Sequence, residues 1–308
     1  MRQLLNYING ELTPAASGAT LDVIEPATGQ PYATAPDSSA DDVHAAVDAA
    51  RRAFPAWSAT PAPERSALML KLADAIEAER DELAALESRD TGKPITLART
   101  IDIPRAAANL RFFATAILHD SSEAHITDQH TLNYTRRQPR GVAGLISPWN
   151  LPLYLFTWKL APALATGNTC VGKPSEVTPA TAARLGELAA NIGFPLGVLN
   201  IVHGRGATVG AAIVEHPDVP TISFTGGTAT GRAIASTAGP MFKRLSLELG
   251  GKNPTSFSLM RTSTRPYPPP CERRSQTRDR SACADRASLL NHPSPIGSSM
   301  RLWRRPRR

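Results

Sequence analysis

With 308 residues, 42% of them hydrophobic and 20% charged, the chain can bury one large or two ordinary soluble domains. Its net charge of +7 is uneven: residues 256–308 hold 12 Arg, no Lys and 3 acids, a net +9 that leaves −2 on the rest. A mildly acidic body with a basic tail does not describe a nucleic-acid-binding domain.

In chain order, Met1-Arg-Gln-Leu-Leu-Asn-Tyr7 lacks the apolar run of a signal peptide. Asn6–Glu11 and Asp22–Gln30 read as short strands with Asn-Gly and Thr-Gly turns. From Asp41 the period becomes helical: Val43, Ala46, Val47 and Ala50 share a face behind Ser38-Ser39, and Phe54 and Trp57 close the helix. Pro61 and Pro63 separate it from a second helix through Leu68, Leu70, Leu72, Ala75 and Ile76. That helix is expected to run on through Leu83 and Leu86 and to end at Asp90-Thr-Gly-Lys-Pro94. A third helix is expected to begin at Ile103, with Pro104 in its first turn. Leu132–Gln138 alternates like an exposed strand.

From Gly141 strands and helices alternate, which predicts an α/β fold with a parallel sheet covered by helices on both faces, Rossmann-like in layout. The strands are 142–146, 169–172, 199–202 and 221–224. The helices lie near 158–165, 178–192, 207–215 and 231–238. The most apolar region, 141–172, is interrupted by Pro148, Asn150, Pro152 and Lys159, so no membrane span is expected. Cys170, Cys271 and Cys283 form no CxxC pair and no disulfide framework, which suits a reducing, cytoplasmic setting.

Three segments carry chemistry. In Leu145-Ile-Ser-Pro-Trp-Asn-Leu-Pro152, Asn150 follows a buried strand and can donate a hydrogen bond to an oxyanion at the carboxyl end of a sheet; its plainer reading is a turn-former before Leu-Pro. Ile222-Ser-Phe-Thr-Gly-Gly-Thr228 is a strand, a glycine turn and a helix start, where free backbone N–H groups meet a pyrophosphate. In Leu245-Ser-Leu-Glu-Leu-Gly-Gly-Lys-Asn-Pro254, Glu248 lies in an apolar run, and its expected desolvation would raise its pKa toward general-base use; in isolation it reads as a surface acid. Lys173-Pro-Ser-Glu176 follows a strand and is either a cofactor contact or a solvated ion pair. Gly204-Arg-Gly-Ala-Thr-Val-Gly210 misses the GxGxxG spacing by one residue and is a weak signal alone. Cys170 reads as a small buried hydrophobe, and His203 and His216 show no metal-ligand pattern, so no metal is expected.

Taken in this order and spacing, the three segments resemble the NAD(P)-dependent aldehyde dehydrogenase superfamily, from about residue 6 to residue 255. Thr225-Gly-Gly-Thr-Ala-Thr-Gly231 resembles its muconic semialdehyde branch. The resemblance implies an NAD-binding domain over 1–119 and 140–255, and a protruding oligomerisation hairpin at 120–139. It implies NAD, with NADP the lesser candidate, held by Ile146, Ser147, Pro148, Trp149, Lys173, Ser175, Glu176, Gly206, Phe224, Thr225, Gly226, Gly227 and Leu249. Lys173 and Glu176 would take the adenosine ribose. Family members often carry Ser where Gly227 stands, which leaves only a backbone contact there. Asn150 would hold the oxyanion and Glu248 would act as general base toward an aldehyde substrate. The family is homo-oligomeric; no nucleic-acid or membrane partner is implied.

After Pro254 the composition changes: residues 256–308 hold 7 Pro, 9 Ser and 12 Arg without amphipathic period. One reading is a disordered basic tail. The sharper one is a change of reading frame. New codons can be formed from the third base of each residue's codon and the first two of the next, so that two bases of each are fixed or nearly so and synonymous choice falls mainly on the first. From Thr255 they permit I-V-F-A-D-A-D-L-D-A-A, and from Arg274 F-A-N-Q-G-Q-I-C-L-C-G-S-R, the continuation the family shows. The nucleophilic Cys would straddle the codons of Ser281 and Ala282, and neither Cys271 nor Cys283 replaces it. The expectation is therefore a cofactor domain without aldehyde-oxidising activity. Alternatives are a non-catalytic NAD-binding fragment, an unstable product, or, least favoured, a basic-tail binder of nucleic acid or membrane.

Overall fold

A computed structural model describes residues 2–251. The expectations for 256–308 lie outside them. The amino-terminal strands are β1 (Arg2–Gln3), β2 (Asn6–Ile8), β3 (Glu11–Thr13), β4 (Thr20–Glu25) and β5 (Gln30–Pro36). The β2–β3 turn is the expected Asn-Gly pair, with φ of 53° at Asn9 and 85° at Gly10.

Helix α1 (Ala40–Ala59) starts where the Ser and Asp residues foretell it. The Ser39 hydroxyl accepts the Asp41 N–H at 3.2 Å, and the Asp42 carboxylate accepts the Ser39 N–H at 2.9 Å. Helices α2 (Ala62–Ala78) and α3 (Arg80–Thr91) correct one expectation: the single helix through Leu83 and Leu86 is broken at Glu79, whose ψ of 24° ends one axis and starts another. The break lets Leu83 and Ala84 join the same core as Leu72 and Ile76. Gly92, at φ 68°, then caps α3 in the left-handed conformation.

An α-helix starts at Ile103 as expected, and further helical turns lead into it. A turn, α4 (Ile95–Leu97), runs through a π turn (Ala98–Asp102) into α5 (Ile103–Ala116). The wider turn sends the Ile103 N–H back to Ala98 O and is followed at once by Pro104, which has no N–H to give.

After the exposed hairpin β6 (Ala124–Ile126) and β7 (Leu132–Tyr134) come β8 (Val142–Ile146), α6 (Pro152–Ala165), β9 (Thr169–Lys173) and α7 (Ala180–Asn191). Then follow β10 (Leu199–Ile201), a π turn (Gly206–Gly210), α8 (Ala211–Glu215), β11 (Thr221–Gly226), α9 (Thr228–Ala238) and β12 (Arg244–Leu249). Helix α6 starts at Pro152, six residues before the expected Trp158, because proline suits a first turn.

The main sheet has the order β12-β11-β8-β9-β10-β2-β3. The first five strands pair in parallel, and β2 and β3 add an antiparallel edge. Both faces are covered, and the strand period shows how. Val142 and Ile146 of β8 pack with Val43, Val47, Val209 and Ile213 on one side. Ala143 and Leu145 pack with Phe156, Leu160, Met69 and Leu110 on the other. Gly172 of β9 is the contact point for α6: a Cβ there would lie 2.5 Å from Phe156 Cζ. The strand order reverses between β8 and β11, and in such sheets the crevice beyond that point is where ligands bind.

Candidate functional site

The crevice is present. A cleft of about 410 Å³ opens beside the carboxyl ends of β8 and β11, lined by Ile146 and Phe224, by Gly206 and Gly210 of the π turn, and by Val214 and Ile234. Its walls are largely apolar side chains and backbone, suited to a flat aromatic ring. Three of the expected cofactor residues, Ile146, Gly206 and Phe224, thus meet in one cavity.

The polar end is built by Lys173, at the tip of β9. Its buried ammonium donates to Glu176 Oε2 at 2.8 Å and to Pro174 O at 2.8 Å. The other oxygen, Glu176 Oε1, accepts the Gly206 N–H at 3.2 Å and so ties this loop to the cleft wall. Partial burial pulls the Glu176 pKa upward, but the Lys173 ammonium and the N–H donors outweigh it and hold the carboxylate below its usual range. It is a carboxylate fixed by its own neighbours, with an open edge that can still accept hydroxyl donors. Ser175 is buried in the same loop, and Ser147 N–H donates to Lys173 O at 3.1 Å. The buried Ser147 hydroxyl has no hydrogen-bond partner among the described residues.

Gly226 and Gly227 lead from β11 into α9. The Gly227 backbone is extended (φ −70°, ψ 148°), and a Cβ there would meet nothing within 4 Å. Neither strain nor packing demands glycine at this position. No side chain caps α9, so its first N–H groups remain available to an anion. Thr225 and Gly226 lie in register with Glu248 and Leu249 of β12, and Leu249 lies against Gly231 of α9.

Glu248 corrects an expectation. Along β12 Leu245 and Leu247 are half-buried, whereas Arg244, Ser246 and Glu248 are exposed. The apolar neighbours that suggested desolvation lie on the opposite face, and β12 is the edge of the sheet among the described residues.

Asn150 sits in the turn between β8 and α6, with Pro148 half-buried and Trp149 exposed beside it. Its backbone carbonyl accepts the buried Lys93 ammonium at 3.2 Å. That contact was not visible in the sequence, where Lys93 only marked the end of a helix. Lys159 of α6 was missed as well. It is 4% exposed, donates to Ser223 Oγ at 3.1 Å, and is lowered to about 8 by burial, against an opposing pull from Glu248. A lysine inside an apolar helix gives the signal only when β11 is known to lie beneath it. Cys170 is buried, and burial pushes its thiol up, so it is no nucleophile. Among the described residues no group of three or more His, Cys, Asp or Glu is placed to hold a metal, and no helix is long and apolar enough to cross a membrane.

A parallel sheet with a crevice at its reversal point, an acid at one strand tip and an uncapped helix at another, defines a dinucleotide-binding α/β protein. Residues 12–258 match the aldehyde dehydrogenase family model. The chain belongs to that family. It is 56% identical over 252 residues to 2-aminomuconic semialdehyde dehydrogenase of Danio rerio, covering 82% of this chain and 51% of the relative. To 2-hydroxymuconic semialdehyde dehydrogenase of Pseudomonas sp. (strain CF600) it is 47% identical over 259 residues, covering 82% and 53%. Among solved structures, PnpE, known from Pseudomonas sp. WBC-3 and solved in complex with nicotinamide adenine dinucleotide, matches at 49% identity. Its TM-score is 0.79, over 81% of this chain and 51% of that one. The chain thus spans about half the length of the curated relatives it matches.

Proposed function

We propose that residues 2–251 form the cofactor-binding part of an NAD-dependent dehydrogenase that oxidises a semialdehyde to a carboxylate. The observation that carries this reading is the Lys173–Glu176–Gly206 bridge at the mouth of the apolar cleft. An adenine fits the cleft walls, ribose hydroxyls can donate to Glu176, and the N–H groups that open α9 suit a pyrophosphate. The unpartnered Ser147 hydroxyl at the β8 tip is a further polar atom able to meet a ligand. A fixed carboxylate accepts a 2′-hydroxyl and repels a 2′-phosphate, so NAD is favoured over NADP. The NAD complex of PnpE and the names of the muconic semialdehyde relatives support cofactor and substrate class.

The nicotinamide, when bound, supplies the two-electron acceptor. The residues of this chain act around it. Asn150 donates its side-chain amide to the oxygen that turns negative when a thiolate adds to the aldehyde carbon. Once hydride has left the adduct's former aldehyde carbon for that acceptor, a thioester would remain, and Glu248 would remove a proton from the water that hydrolyses it, returning carboxylate product and free thiol. Its exposure on β12, the edge strand among the described residues, leaves Glu248 accessible to that water.

The thiolate itself we place in the segment read out of frame after about residue 255, so the 308-residue polypeptide is expected to bind NAD without oxidising aldehydes. The abrupt composition change and the family-like alternative frame support this. The hairpin at 120–139 is proposed as an oligomer contact, and cysteine usage as the mark of a cytoplasmic setting. Calorimetric titration of the purified chain with NAD and NADP tests the cofactor reading. Saturable NAD binding with weaker NADP binding is expected, and a cooperatively unfolding chain that binds neither sinks it. Aldehyde-dependent NADH production by the same sample would refute the inactivity. Resequencing codons 253–260 decides the frame.

A further inference from the structure

Beneath the Asn150 turn lies a buried ionic cluster that the chemistry above does not use. Glu87, Lys93 and Asp102 are 0%, 5% and 2% exposed. The Lys93 ammonium has three protons and three acceptors: Glu87 Oε1 at 3.3 Å, Asp102 Oδ2, and the carbonyl of Asn150 at 3.2 Å. Glu87 Oε2 accepts the N–H of Leu153 at 3.4 Å, in the first turn of α6, which has no side-chain cap of its own. The cluster therefore grips the turn on both sides, at Asn150 and at Leu153.

Stability does not explain it. Ions removed from water gain back little more than their desolvation cost, and apolar residues of the same shape would serve the core as well or better. Geometry does. Glu87 comes from the last turns of α3, and Lys93 follows the left-handed cap at Gly92. Asp102 closes the π turn, a rare conformation that recurs at functional positions. Three separate local devices converge on one ammonium, which holds the Asn150 carbonyl.

We propose that Lys93, oriented by Glu87 and Asp102, is a positioning residue that fixes the Asn150 turn, and with it the oxyanion donor. This rests on the reading of Asn150 given above. The alternative is that the cluster merely ties α3 to α5.

The two are separated by hydrogen exchange, read peptide by peptide on the full chain, together with acrylamide quenching of Trp149, the exposed neighbour of Asn150. Lys93→Met strands two buried carboxylates and is the variant at risk of not folding. Glu87→Gln leaves a neutral Lys93–Asp102 pair and carries the test in that case. The expected result is a rise of about tenfold in exchange over 147–155, with altered Trp149 quenching, while β8 and β9 keep their protection. A rise confined to 87–103, or one spread over the chain in step with lost thermal stability, overturns the proposal. Turnover is not read, so a held turn in a chain that fails to bind NAD would overturn the functional reading and leave the cluster's grip intact.

Discussion

Asp90 shows how much one buried acid can do. Its two oxygens meet the Tyr32 hydroxyl and the N–H of Ala180, the first residue of α7, at 2.8 Å for the latter. Burial raises its pKa to about 7 from an ordinary 3.8, despite both hydrogen bonds. A folded pKa above the unfolded one means stability that is full below about pH 4 and is lost as pH rises through 7. The shift corresponds to at most ~4 kcal/mol. Asp90→Asn copies the protonated acid, its amide donating to Tyr32 and its oxygen accepting from Ala180. The substituted chain's advantage over the parent should widen from pH 5 to pH 8, because the unfolded acid is already ionised at pH 5 whereas the folded one gives up its proton only near 7. Melting temperatures of both at the two values check this, and parallel curves would show that Asp90 stays ionised throughout.

At the scale of elements, two glycines make opposite predictions. Gly172→Ala would drive a methyl into Phe156 and force α6 away from β9, at a cost of about 1–3 kcal/mol, read as a fall in denaturant midpoint. Gly227→Ser meets open space in an extended backbone at a helix start, so a gain of about a few tenths of a kcal/mol is expected. These environments also mark what the sequence could disclose. The short strands 142–146 and 169–172, alternating with helical segments after Gly141, announce the covered parallel sheet, because burial on both faces leaves a direct record in composition. Lys173 and Glu176, proposed above as cofactor contacts, stand out in the sequence as a charged pair directly after a strand, whereas Gly206 lies in a glycine-rich turn whose spacing is a weak signal alone. The desolvation expected at Glu248 fails because alternation outweighs apolar neighbours: in Arg244-Leu-Ser-Leu-Glu248 period two puts the acid on the face away from the leucines. Glu87, Lys93 and Asp102 were illegible for a different reason. Charged residues near a helix end look solvated, and only the meeting of α3, a π turn and the Asn150 turn buries them.

For the whole molecule the question is what the described residues bury and what they leave exposed. Leu72, Leu83, Leu110, Leu145, Phe156 and Leu160 are all at or below 1% exposure, each contributing about 1.5–3 kcal/mol by burial. Elsewhere apolar side chains face outward. Ile126, Leu132 and Tyr134 of the β6–β7 hairpin are 76%, 62% and 68% exposed, a concentration of apolar side chains on two three-residue strands. Such a patch marks either an interaction surface or an aggregation liability. The parent chain should self-associate as its concentration rises, and a Leu132→Lys, Tyr134→Lys variant should sediment as a smaller species. Neither residue touches the cleft or the cores, so melting temperature and NAD affinity measured on the dissociated variant should stay within error of the parent. If NAD affinity instead falls with dissociation, the hairpin supports the site through assembly, and the cofactor half needs a second copy to function. If sedimentation does not change, the patch is a bystander, and any self-association must arise elsewhere on the chain.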